Sequence, residues 1–170
     1  LYNQGRFQEV IQRAEETAQN SAPNVMLFNL IAAANSALKN LDLAIENFNK
    51  VLEINPKDAA AYFNIGTIFL EKGEFGLAIK NYQKCLAINS NHAEAHDNMG
   101  SALKSQGNLT SAIEQFEQAI HLRPNFAQAH YNLGVALQAK GHLSESIKSY
   151  KKACEIKPDY FKAYHGIGNA

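Results

Sequence analysis

Residues 107–124 read GNLTSAIEQFEQAIHLRP. Within them Leu109, Ala112, Ile113, Phe116, Ala119 and Ile120 stand at i, i+3, i+4, i+7, i+10 and i+11. An α-helix makes a turn every ~3.6 residues, so this spacing puts all six on one face. Gly107-Asn108 in front breaks the chain and turns it into the helix. Pro124 behind stops it, because proline has no amide hydrogen to give and crowds the preceding turn.

The same face recurs as Leu41, Ala44, Ile45, Phe48, Val51, Leu52, as Phe75, Ala78, Ile79, Tyr82, Cys85, Leu86, and as Leu143, Ser146, Ile147, Tyr150, Ala153, Cys154. Phe7, Val10, Ile11, Ala14, Thr17 and Ala18 keep the register at the start. Gly66, Gly100, Gly134 and Gly168 stand 34 residues apart, as do Gly73, Gly107 and Gly141, with Gly5 on the same phase. Pro56, Pro124 and Pro158 lie on a 34-residue grid, with Ser90 in its empty slot. A fixed period of this size marks a repeat architecture. Each period holds a first helix (core face His96, Met99, Gly100, Leu103 in one copy), a glycine turn and a second helix. Each is thus a helix–turn–helix pair.

These units resemble the tetratricopeptide repeat, whose pattern is an aromatic, Leu-Gly, a second aromatic, then Ala-x3-Phe and a late proline. Here stand Tyr62-x2-Ile65-Gly66-x2-Phe69 followed by Ala78-x3-Tyr82, and His130-x2-Leu133-Gly134-x2-Leu137 followed by Ser146-x3-Tyr150 and Pro158. His96 and His130 replace the first aromatic, and Asn35 the second one in the first repeat. The phasing predicts full repeats at 25–58, 59–92, 93–126 and 127–160. Residues 1–24 supply a partial repeat (a second helix), and 161–170 the start of another first helix. The resemblance implies an all-α, right-handed superhelical solenoid whose first helices line a concave surface. Gly66, Gly100 and Gly134, with Ala32 in the first repeat, are expected to face Ala78, Ala112, Ser146 and Ala44. No such pair buries both its faces alone, so each must stack on the next. The weak helix former Gly166-Ile167-Gly168-Asn169-Ala170 ends the chain in mid-element. The expectation is a segment of a longer array, whose uncapped ends can also stack on another copy.

On a helical wheel the second, sixth, ninth and thirteenth residues of each first helix point away from the core. They are Ala60, Asn64, Thr67, Glu71, then Glu94, Asn98, Ser101, Ser105, then Gln128, Asn132, Val135, Ala139. This small, polar stripe suits an extended peptide. Asn64, Asn98 and Asn132 recur at one slot, and an asparagine amide both donates and accepts. The row resembles the asparagine ladder of O-linked N-acetylglucosamine transferases, as does His130-Tyr131-Asn132-Leu133-Gly134. The plainer reading is that these amides brace neighbouring repeats; one sequence leaves both open. Met26, Leu30, Ala33 and Ala37 make the first stripe apolar. Phe63 and Tyr131 are candidate anchors at the groove edge. A two-carboxylate clamp for chaperone tails needs lysines and an arginine. Its slots here hold Asn29, Phe63, Asp97 and Tyr131, with Lys162 in the stripe and Lys104 at its edge, which speaks against it.

Composition narrows the function classes. The chain has 170 residues, 46% hydrophobic and 19% charged, with a net charge of zero. Arg6, Arg13 and Arg123 do not cluster, which argues against nucleic acid. No apolar run is long enough to insert in a membrane. Cys85 and Cys154 have neither metal nor disulfide spacing and read as core residues in a reducing, cytoplasmic setting. His92 and His96 have the spacing of a metal pair, yet fall in turn and core slots, so no metal or other cofactor is expected. Asn108-Leu109-Thr110 spells a glycosylation sequon that matters only in a secreted protein. No Ser/His/Asp set, phosphate loop or carboxylate pair stands out, so the chain itself does not read as an enzyme. Three functions follow as expectations: a protein-interaction scaffold holding a peptide or protein partner in the groove, the substrate-recruiting part of a larger enzyme such as a glycosyltransferase, or a self-assembling scaffold.

Overall fold

The computed structural model describes residues 6–19 and 24–170. Gly5 and the side chain of Ala18 lie outside what is described. Among the described residues the chain forms ten helices and no strand: α1 Phe7–Gln19, α2 Val25–Ala37, α3 Leu41–Ile54, α4 Ala59–Glu71, α5 Phe75–Ile88, α6 Ala93–Ser105, α7 Leu109–Leu122, α8 Ala127–Ala139, α9 Leu143–Ile156 and α10 Phe161–Asn169. It is an all-α solenoid of helix–turn–helix pairs.

Local chemistry sets the helix ends. At the heads of α2, α4, α6 and α7 an orphan amide is met by a capping side chain. Asp58 accepts from the Ala61 amide at 2.9 Å, Asn108 from Ser111 at 3.4 Å, and His92 Nδ1 from Ala95 at 3.3 Å. Helices α3, α7 and α9 stop just ahead of Pro56, Pro124 and Pro158, but α5 stops equally at Ile88 with Ser90 in the slot. Proline therefore reinforces a stop that the repeat imposes without it. In three of the helix turns Gly73, Gly107 and Gly141 adopt φ of 74°, 81° and 84°. The first turn puts Lys39 in that left-handed region, at φ 63°, where a Cβ is strained. Lys39→Gly is expected to stabilise the chain by about 1 kcal/mol, read as a higher urea midpoint. The lost Lys39–Glu71 pair is solvent-exposed and offsets little. An unchanged or lower midpoint contradicts the assignment of strain.

Each first helix buries two stripes. Ala61, Ile65 and Ile68 of α4 pack on Ala44, Phe48 and Val51 of α3, the preceding unit. Ala95, Met99 and Ala102 of α6 pack likewise on Ala78, Tyr82 and Cys85 of α5. The other stripe, through Gly66 and Gly100, meets the unit's own second helix. Helices α3, α5, α7 and α9 are thus each wedged between two first helices, which makes the core continuous along the array. Cys85 and Cys154 are free thiols buried in it, and burial pushes the Cys85 thiol up to about 11.

The atoms nearest the glycines at the crossing belong to aromatic rings of the second helices. A Cβ on Gly66 would lie 2.8 Å from the Tyr82 ring, one on Gly100 2.7 Å from Phe116, and one on Gly134 2.6 Å from Tyr150. The missing side chain makes room for the flat face of a ring. Ala44, Ala78, Ala112 and Ser146 are fully enclosed on the second helices.

Helix α4 touches α6, α6 touches α8, and α8 touches α10, whereas successive second helices approach each other less. The first helices therefore form the inner, tighter layer, and the surface they present is the concave one.

Candidate functional site

Along this inner layer the three asparagines meet three different environments. Asn64 is half-buried and makes no side-chain hydrogen bond among the described residues. It lines a cleft of about 370 Å³ between α2 and α4, beside Ala33, Ser36, Ala37, Thr67 and Glu71. Asn98 on α6 pairs with the Tyr82 hydroxyl, which also donates to Thr67 Oγ1 at 3.3 Å. Burial pushes the Tyr82 hydroxyl up to about 12, so it stays a donor.

Asn132 on α8 is buried. Its Nδ2 donates to Asp97 Oδ1 across the repeat boundary at 2.9 Å. It accepts from Gln128 Nε2 at 3.0 Å, and the Tyr160 hydroxyl donates to Gln128 Oε1 at 2.6 Å. At this slot the amide braces the neighbouring repeats. Asp97 is only 4% exposed. Burial pushes its carboxyl up to about 6, opposed by the Asn132 hydrogen bond and the charge of Lys104. Burial in turn holds Lys104 below the ordinary lysine range, with Asp97 opposing.

The candidate anchors are engaged within the chain. Phe63 stacks on His92 with centroids 4.6 Å apart and tilts against Tyr82 at 6.0 Å. Tyr131 lies between Tyr150 at 5.8 Å and Tyr160 at 5.2 Å. Both rings pack within their own repeat and are half-buried, not freely projecting. Glu94 pairs with Arg123 and, at 3.3 Å, with His92. Burial acts to raise its carboxyl, but the Arg123 pairing prevails and holds it below the usual range. Thr67 is exposed, and Ser101 is half-buried on the inner face. In the first stripe Met26 is 77% and Leu30 36% exposed.

The histidines have structural partners. His96 Nδ1 lies 2.8 Å from Gln115 Oε1, and His130 Nε2 lies 2.9 Å from the Pro124 carbonyl, so each ties its helix to a neighbour or to the loop before it. No group of three or more metal-ligating side chains forms among the described residues. No helix there is long and apolar enough to cross a membrane.

The wheel overlooked the hydroxyls of Tyr82 and Tyr160. Neither lies on the face of a first helix. Tyr160 ends a unit in the slot of Asp58, His92 and Phe126, and that shared slot was the available signal.

A family profile described as "Tetratricopeptide repeat" matches residues 23–91, and one described as "TPR repeat" matches residues 100–141 and 139–170. The chain belongs to the tetratricopeptide-repeat family. No curated protein matches this tetratricopeptide chain in sequence. Among solved structures it is similar to MamA, at 27% identity and a TM-score of 0.86 over 95% of this chain and 94% of that one. A MamA from Desulfovibrio magneticus is 21% identical, with a TM-score of 0.86 over 94% and 90%. YrrB, described as a TPR protein with an unusual peptide-binding site, is 22% identical, with a TM-score of 0.81 over 97% and 85%. At that identity these last two show a shared tetratricopeptide solenoid.

Proposed function

We propose that this chain is a protein-interaction module that holds an extended peptide along its concave face. The observation that carries the reading is Asn64, an amide unpaired among the described residues, lining a cleft in which Ala33, Ser36, Ala37 and Thr67 alternate with Leu41, Phe48, Ile68 and Glu71. Small walls let a peptide backbone come close, and the amide offers it both a donor and an acceptor. Exposed Met26 and Leu30 add apolar contact at the same end. The peptide-binding site described for YrrB is in keeping with this ligand class.

The test separates a binding amide from a bracing one. Asn64→Ala is expected to weaken retained peptides about three- to tenfold, the worth of one hydrogen bond, with no loss of stability. Asn132→Ala is expected to cost about 1–3 kcal/mol of stability by stranding a buried partner. Fluorescence anisotropy with labelled peptides and urea unfolding read the two effects. An intact Asn64→Ala chain with unchanged affinity sinks the reading.

A further inference from the structure

The groove changes character where α6 meets α8. Asp97 is the one buried carboxylate among the described residues. One of its oxygens accepts from Asn132, and no basic nitrogen forms an ion pair with it there. Lys104, further along α6, acts on it only through space. A buried carboxylate without a counter-ion is costly. Bracing alone does not call for one, because a neutral acceptor would serve the Asn132 amide at lower cost. In the other repeats the same slot holds the neutral residues Asn29, Phe63 and Tyr131. The charge at this slot is therefore a local feature, not a requirement of the solenoid.

Its surroundings suit a cation. Glu94, on the same helix, adds negative potential at Asp97. Tyr160 also feels the Asp97 charge, its ring pairs with Tyr131 at 5.2 Å, and Lys157 Nζ lies over it at 5.5 Å, so the aromatic wall beside Asp97 already takes a positive group of the chain itself.

We propose that the α6–α8 stretch of the groove receives a lysine side chain of the bound peptide, its ammonium pairing with Asp97. This rests on the peptide-groove reading above and adds the chemistry of one ligand residue to it. Lysine is favoured over arginine on geometry. A guanidinium binds a carboxylate best through both oxygens at once, and Asp97 Oδ1 already accepts from Asn132. An ammonium is a compact charge on a thin stem, suited to a group that is 4% exposed. The polarity is opposite to that of a site built to hold a ligand carboxylate.

The experiment is a selection of phage-displayed random dodecapeptides on the immobilised chain at pH 7.5, followed by anisotropy on the retained peptides. The expected result is lysine at one fixed position. Its replacement by norleucine should weaken binding about tenfold or more, the worth of a charge-assisted contact. Asp97→Asn should abolish the difference between the two peptides. That variant is isosteric and keeps the oxygen to which Asn132 donates; circular dichroism checks its fold. Retained peptides that lack a lysine preference, or that bind equally with norleucine, overturn the inference and leave the groove reading standing. Retention of no peptide at all overturns both.

Discussion

Phe116→Ala is expected to cost about 3–5 kcal/mol, the range for emptying a fully enclosed aromatic site. Phe116 has no exposed surface. It lies with Ala112 and Ala136 in the cluster that joins α7 to α8, with Leu103 of α6 packed against it. It holds the crossing within its own unit and the contact to the next. Stability in such an array is close to a sum of unit and neighbour terms, so a loss here should uncouple the two ends. A urea transition that broadens or splits would report it; a loss below about 1 kcal/mol would contradict the packing. The glycine opposite supplies a second arm. In the wild type, Gly100→Ala gains about 1 kcal/mol of helix propensity but drives a Cβ to 2.7 Å from the ring. In the Phe116→Ala background the clash is gone and the propensity gain should appear as stabilisation. If the two substitutions are additive, the glycine is not there for the ring.

Asp97→Asn is expected to stabilise the chain at neutral pH, by about 2–3 kcal/mol from a shift between 3.8 and about 6 at ~1.4 kcal/mol per unit. The sign follows from proton counts. Between these two values the folded chain keeps the Asp97 proton and the unfolded chain has released it, so stability falls as pH rises. Below the unfolded value both states are protonated and the penalty is absent; above the folded value it is complete and constant. The charged or titratable groups acting on Asp97 are Glu94 and Lys104 on its own helix; Tyr82 of α5 and Tyr160 feel its charge in turn. Both tyrosines stay neutral across this window, their hydroxyls pushed up to about 12 by burial. Urea unfolding of both chains at pH 4 and pH 7.5 checks the prediction: a clear gap at the higher pH that closes at the lower one. Equal stability at pH 7.5 would mean that Lys104 already neutralises the carboxylate. A residue that destabilises the free fold yet sharpens ligand affinity is what a binding role at Asp97 entails, because a lysine ammonium would relieve the same penalty.

Much of the molecule was legible before any coordinates. The stripe from Leu109 to Ile120 and its copies marked the second helices, and the 34-residue glycine grid marked the turns at Gly73, Gly107 and Gly141. Periodicity reports which residues of one helix share a face. It does not report what lies across from them. The glycine at each crossing shows the difference: its slot was legible, but not that the ring of Tyr82, Phe116 or Tyr150 lies nearest to it. The second buried stripe of the first helices, through Ala61, Ala95 and Ala129, was hidden for the same reason, since short alanines leave little pattern.

The repeat came from the sequence alone, because a hydrophobic period is a local property that survives without knowing what it packs on. What becomes of the three asparagines came only from the tertiary structure. The fifth residue of the preceding repeat differs for each: Asn29 before Asn64, Phe63 before Asn98 and Asp97 before Asn132. The Asp97 carboxylate captures the Asn132 amide, Asn98 turns to the Tyr82 hydroxyl, and Asn64 makes no side-chain hydrogen bond among the described residues and lines the cleft. Identical slots thus divide into one binding candidate and two structural contacts, because hydrogen bonding depends on the partner across the interface, which a helical wheel does not contain.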